Sequence, residues 1–285
     1  MKKILLASSA LVASAGFAAA EISFSGEAGI GFKYMDVAVG DDWTLDHYLT
    51  VSVALTGETD GGLGFGAEVD ITSNAAGGAV DGSSAYIEGG FGKFSVGDVG
   101  SAVDATLGLS DIGYGGIGTD NTAETLVDAG DSGNMMYKGT FGDFGIAISH
   151  DFNGTDNTSI AATYAMGDFN LGLGYDDFGA GAAAPYANTS SFHVKAGADI
   201  ADFSVNALYS RNDDADVTSY GIHAAYTMGA VVVSGAYSEV DIAGVSADAY
   251  GLGVAYDLGG GATFKAGVGE VGGVTKADLG IIMLF

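Results

Sequence analysis

Apolar and polar residues alternate along this chain in pieces of about ten, from Ile22 to the terminal Phe285. In the closing run, Leu279, Ile281, Met283 and Phe285 share one parity, with Lys276 and Asp278 on the other. A period of two puts one set of side chains on each face of a strand. The apolar set recurs too often for one soluble core, and the polar set is small and acidic. Lipid outside and water inside a closed sheet explain both. The expected fold is therefore all-β, a transmembrane antiparallel up-and-down barrel of about 16 strands.

The periods predict strands over 22–35, 43–56, 63–72, 83–91, 93–98, 134–140, 143–152 and 157–166. They continue over 168–176, 191–200, 202–211, 218–228, 230–239, 247–258, 262–271 and 276–285. One set of connections is tight and rich in phenylalanine, as at Phe91-Gly92-Lys93-Phe94 and Phe141-Gly142-Asp143-Phe144. The other set, over 36–42, 73–81, 176–190 and 212–217, is longer and acidic. Barrels of the outer membrane have short periplasmic turns and longer external loops. Trp43, Tyr34, Tyr175, Tyr209, Tyr220 and Tyr237 fall near the opposite strand ends, where a second aromatic girdle belongs.

The polar parity collects Glu27, Lys33, Asp46, Glu68, Asp70, Glu88, Lys93, Lys138, His193, Lys195, His223, Lys265, Lys276 and Asp278. A lysine or arginine on the lipid face costs about 2–4 kcal/mol at mid-membrane, which gives this segregation its cause. Arg211 departs from it, at a strand end where a side chain can snorkel.

Composition sharpens the picture. The chain has 49 glycines, one proline and no cysteine, so turns and close strand approach are easy and no disulfide holds the fold. Lys2 and Lys3, the apolar run 4–17 and Ala18-Ala19-Ala20 read as a secretory leader over 1–20, with a single barrel domain over 21–285. Losing two lysines and no acid takes the charge from −27 to −29. So acidic a surface is no nucleic-acid partner, whose affinity comes from basic residues, and it attracts cations.

One stretch, 99–133, lacks steady alternation. It holds Asp104, Asp111, Asp120, Glu124, Asp128 and Asp131 and no basic residue. A long irregular segment in a compact domain is usually functional. Asp41-Asp42, Asp176-Asp177 and the run Asp213, Asp214, Asp216 are oxygen-rich enough to consider calcium, but no EF-hand spacing is present. His47, His150, His193 and His223 have no zinc-like spacing, and no nucleophile elbow or Ser-His-Asp set stands out.

The run Ala85-Tyr-Ile-Glu-Gly-Gly-Phe-Gly-Lys-Phe-Ser-Val-Gly97, the sequence Asn134-Met-Met-Tyr137 and the terminal Phe285 resemble signatures of the general diffusion porins of Gram-negative outer membranes, in their compact alphaproteobacterial form. The resemblance covers the mature chain in layout and these pieces closely. It implies that 99–133 is the third loop, folded into the barrel to narrow the pore, and that three copies assemble in the outer membrane among lipid and lipopolysaccharide. Asp98 stands where that family usually has an arginine, and the arginines that face the acidic loop are thinned to lysines.

The expected function is passive diffusion of small hydrophilic solutes and ions, with cations preferred. Lys33, Lys93, Lys138, Lys195 and Lys265 would line the wall. Glu27, Glu68, Asp70, Glu88 and the loop acids Asp104, Asp111, Asp120, Glu124 and Asp128 would set selectivity. No enzyme chemistry or cofactor is expected. Three alternatives remain: a non-conducting structural or adhesive barrel, a secreted soluble β-protein, and a third loop that stays outside.

Overall fold

The computed structural model describes residues 20–36, 42–74 and 77–285, without the side chain of Asp81. The expected leader, apart from Ala20, and Asp41 lie outside the described residues. The first eight strands are β1 (Glu21–Met35), β2 (Trp43–Glu58), β3 (Gly64–Asn74), β4 (Gly77–Gly89), β5 (Gly92–Gly97), β6 (Met135–Phe141), β7 (Phe144–His150) and β8 (Thr158–Met166). The second eight are β9 (Phe169–Asp177), β10 (Ser190–Ile200), β11 (Phe203–Asn212), β12 (Val217–Met228), β13 (Val231–Ile242), β14 (Val245–Gly259), β15 (Ala262–Val271) and β16 (Val274–Leu284). Each pairs with its neighbours in sequence, and β1 pairs antiparallel with β16, closing the barrel. Phe285 exchanges both backbone hydrogen bonds with Gly26 at that seam.

Parity behaves as a membrane requires. Phe24 is 66 % exposed, Leu45 67 % and Leu252 69 %, each on the outward face of its strand. Phe141, Phe144, Phe169 and Phe203 ring the short-turn end, and Trp43, Tyr175, Tyr209 and Tyr220 the other. The turn-side girdle also includes Tyr226 and Tyr256, beyond the expected phenylalanines.

Two expectations need correction. The connection expected over 73–81 is mostly strand, because β4 starts at Gly77 and not at Ser83. A bulge makes this possible. Val69 pairs with Ser83 and Asp70 with Asp81, leaving Gly82 unpaired at φ 74°. Likewise β13 and β14 run on to a two-residue turn at Ala243-Gly244. The external connections are thus less uniformly long than predicted.

The stretch 99–133 is not irregular throughout. It contains α1 (Asp104–Leu107), α2 (Thr119–Ala123) and α3 (Thr125–Ala129). It lies inside the barrel, where Ala102, Val103, Leu107 and Val127 pack with Ala147, Ala161 and Leu208 of the wall. With lipid outside, the apolar core sits in the lumen, beneath this loop.

Candidate functional site

The third loop hugs the inner wall from β7 round to β1. Irregular backbone inside a barrel must still satisfy its polar groups, and wall serines do much of this. The Ala102 N–H donates to Ser149 Oγ at 2.8 Å and the Val103 N–H to Ser159 Oγ at 2.9 Å. Further round, Ser219 Oγ donates to the Ala123 carbonyl at 2.7 Å, and Ser238 Oγ donates to that of Thr119. Lys195 Nζ donates to the Gly108 carbonyl.

Apolar loop side chains meet wall positions that lack a side chain. Leu107 and Val103 lie over Gly172 and Gly174 of β9, and Ile112 and Ile117 over Gly251 of β14. A Cβ at Gly174 would come within 2.7 Å of both Leu107 Cδ1 and Val103 Cγ2. These inward glycines position the loop, and sequence reasoning assigned glycine only to turns and strand approach. Their signal was legible: glycines on the polar parity of strands, spaced by two.

The loop leaves the β1–β5 side of the lumen open. A recess of about 520 Å³ there is lined by Ser25, Ser52, Glu68, Asp70, Ser84 and Asp98, among others. On this wall Glu27 accepts a hydrogen bond from Tyr48 Oη at 2.5 Å, and Lys33 pairs with Asp46 at 3.2 Å. Lys93 lies 3.7 Å from Glu68, and its Nζ is 3.7 Å above the Tyr86 ring. Glu88 is paired with Lys93 across β4 and β5, and Lys138 stands opposite Lys93 on β6. Lys265 and Lys276, on β15 and β16 beside β1, flank the glycine-rich loop tip near Asp111 and Asp120.

The loop acids divide by role. Asp111 is engaged within the loop: its carboxylate accepts from the N–H groups of Ile112, Gly118 and Thr119 and from Thr119 Oγ1, bracing one turn. Asp131 accepts from the Ser101 N–H at 3.1 Å. Glu124, 8 % exposed, accepts from the Leu109 N–H and ties the α2–α3 junction to α1's exit. Burial pushes the Glu124 carboxyl up to about 7, with Asp120, Asp128 and Asp104 adding repulsion. Burial and then Asp111 raise Asp120 to about 6. Desolvation inside the lumen, then Asp104 and Asp131, raise Asp128 to about 6, although its outer edge meets water. Asp104 is raised by burial and by Asp131.

Beneath α3 the wall carries an arrangement that the sequence did not suggest. His193 Nδ1 lies 2.8 Å from Ser210 Oγ, and Nε2 lies 2.9 Å from Asp176 Oδ2. The second contact is off hydrogen-bond alignment, and among the described residues neither Asp176 oxygen has a hydrogen-bond partner. Ser210 and His193 are 0 % exposed and Asp176 1 %, so this Ser-His-Asp row is sealed from the lumen. His150 lies 3.5 Å from Asp156 at the loop rim, while His47 and His223 stand elsewhere on the barrel.

At the outer rim, Arg211 meets Asp213 at 2.7 Å and Asp216 at 3.2 Å. A guanidinium thus occupies the place where calcium was considered, and Asp214 does not join the pair. Among the described residues no three acidic or imidazole groups gather as a metal site.

The chain matches the family model described as Gram-negative porin over residues 7–275. A porin of Rhodobacter capsulatus is 28 % identical over 305 residues, covering 93 % of this chain and 100 % of that protein. Solved variants of the porin of Rhodopseudomonas blastica superpose with TM-scores of 0.78 at 23 % identity and 0.77 at 22 %. Both cover 93 % of this chain and 100 % of theirs, and at such identity the likeness is one of fold.

Proposed function

Because this chain belongs to the Gram-negative porin family, whose members are passive channels of the outer membrane, we propose that it passes small hydrophilic cations in preference to anions. The observation that carries this reading is a loop with six acids and no base, lying in the lumen opposite a recess lined by Glu68, Asp70 and Asp98. An ion in that gap meets carboxylates on both sides. Lys33 and Lys93 face it too, but each is already drawn to a wall carboxylate. Focused charge of one sign raises the local concentration of the opposite ion. The same reading takes residues 1–20 as a leader removed on export and the working unit as a homotrimer.

The test is the reversal potential of the refolded chain 21–285 in a planar bilayer under a KCl gradient. A cation-positive potential that shrinks as salt rises is expected, since screening shortens the reach of the field. Anion preference at low salt would overturn the reading. Silence from a folded barrel would favour the plugged, adhesive alternative.

The loop acids add a dependence on pH. Glu124 at about 7 and Asp120 and Asp128 at about 6 should protonate as pH falls from 8 to 5. Ordinary carboxylates hold their charge to about pH 4. The cation-to-anion permeability ratio should therefore fall across this window, and Glu124→Gln should remove the upper part of the fall. A ratio unchanged down to pH 5 would place these acids outside the ion path. Docking has its own sign. A carboxyl with a raised value penalises the docked loop above that value, and the penalty is relieved as pH falls through it.

A further inference from the structure

The loop tip comes to rest at the seam where β16 pairs with β1. There Asp278 of β16, 3 % exposed, receives two backbone donors: the Tyr114 N–H at 2.9 Å on Oδ1 and the Gly115 N–H at 2.7 Å on Oδ2. The Tyr114 ring, 4 % exposed, lies on a floor made by Gly31 of β1 and Gly280 of β16. A Cβ at Gly31 would stand 2.7 Å from the ring, and one at Gly280 2.5 Å. Beside it, a Cβ at Gly267 of β15 would stand 2.7 Å from Gly113 Cα. From the other side the Lys33 stem covers Gly115 while its Nζ is held by Asp46 at 3.2 Å. Three strands thus leave out side chains where the tip lands, and the one buried carboxylate among them takes both tip N–H groups.

We propose that Asp278 is the positioning residue of the constriction: it latches the third-loop tip into a glycine-floored socket at the β1–β16 seam, and so sets the aperture left along β1–β5. The loop root is held independently, by Ser149, Ser159 and the glycines of β9. Loss of the latch therefore frees the tip without freeing the root. Two charge-assisted hydrogen bonds into a buried carboxylate make the latch strong. The Tyr114 hydroxyl contributes nothing to it, since it is buried without a hydrogen-bond partner among the described residues.

This inference uses the channel reading only for its conductance readout. The chain lacks cysteine, so a nitroxide on Ser110→Cys, at an exposed loop position, reports loop motion alone. In Asp278→Ala the released tip should gain about 100-fold in population. The nitroxide lines should narrow, and single-channel records should show larger, noisier steps and a higher solute size limit. Asp278→Asn keeps the shape but offers one acceptor in place of two, and should fall between. Gly267→Ala should act in the same direction by pushing Gly113 off the wall. Gly90→Ala, in a turn with open space around it, should leave both readouts unchanged. If Asp278→Ala or, should that fail to fold, Asp278→Asn and Gly267→Ala keep native mobility and aperture, the latch is refuted. A wild-type chain that folds but passes no current would refute the channel reading, and the nitroxide would still decide the latch.

Discussion

Asp176→Ala should cost the folded barrel about 1–3 kcal/mol, the loss expected when a buried polar group is left without its partner. Among the described residues the substitution leaves the His193 ring, 0 % exposed, with Ser210 as its one remaining close polar contact. Gly130, at the end of α3, packs directly on the Asp176 carboxylate, so the loop root should loosen with it. The readout is the heat-modifiability midpoint in detergent micelles, alongside His193→Ala and the double variant. The two single losses should be similar and the double loss smaller than their sum, because the costly species is the unpaired group. Additive losses would mean that the 2.9 Å contact is incidental. The pair lies on adjacent strands β9 and β10, so its loss should also show in the barrel's own stability, whereas the tip latch should not.

Gly174→Val should expel the near part of the third loop while sparing the barrel. Its branched side chain would occupy the space of Leu107 Cδ1 and Val103 Cγ2, both 2.7 Å from an ideal Cβ. Overpacking of this kind costs about 1–3 kcal/mol, and strain can be shed by lifting α1 off the wall. Single-channel conductance should then rise and cation preference weaken, since Asp104 and its neighbours leave the gap. Strand pairing should persist, because valine suits a β-strand. Gly90→Ala, in a turn with open space around it, is the control and should change neither property. Unchanged conductance in Gly174→Val would show that the loop accommodates a side chain there and that glycine is not what seats it.

The strands were legible because their signal is local. Alternation of parity marks the lipid face at Phe24, Leu45 and Leu252 without knowledge of any partner. It failed where a bulge shifts parity in mid-strand: Gly77-Gly78 and Asp81-Gly82 read as a loop, and the unpaired Gly82 instead lets β4 continue. The site was legible in part. A long acidic stretch without alternation pointed to 99–133, but its helices, its seat and the separate duties of its acids did not follow from composition. Asp111 and Glu124 look alike in sequence, yet one braces a turn and the other spans from α2–α3 to Leu109.

By itself, then, the sequence determined the closed sheet, which face meets lipid, and which segment departs from the wall, since each depends on neighbours one or two residues apart. Only the tertiary structure decided where that segment comes to rest. Tyr114 and Asp278 are 164 residues apart, and Gly31, Gly267 and Gly280 form one floor only after β1 pairs with β16. Closure of the barrel creates that proximity, and no local period can encode it.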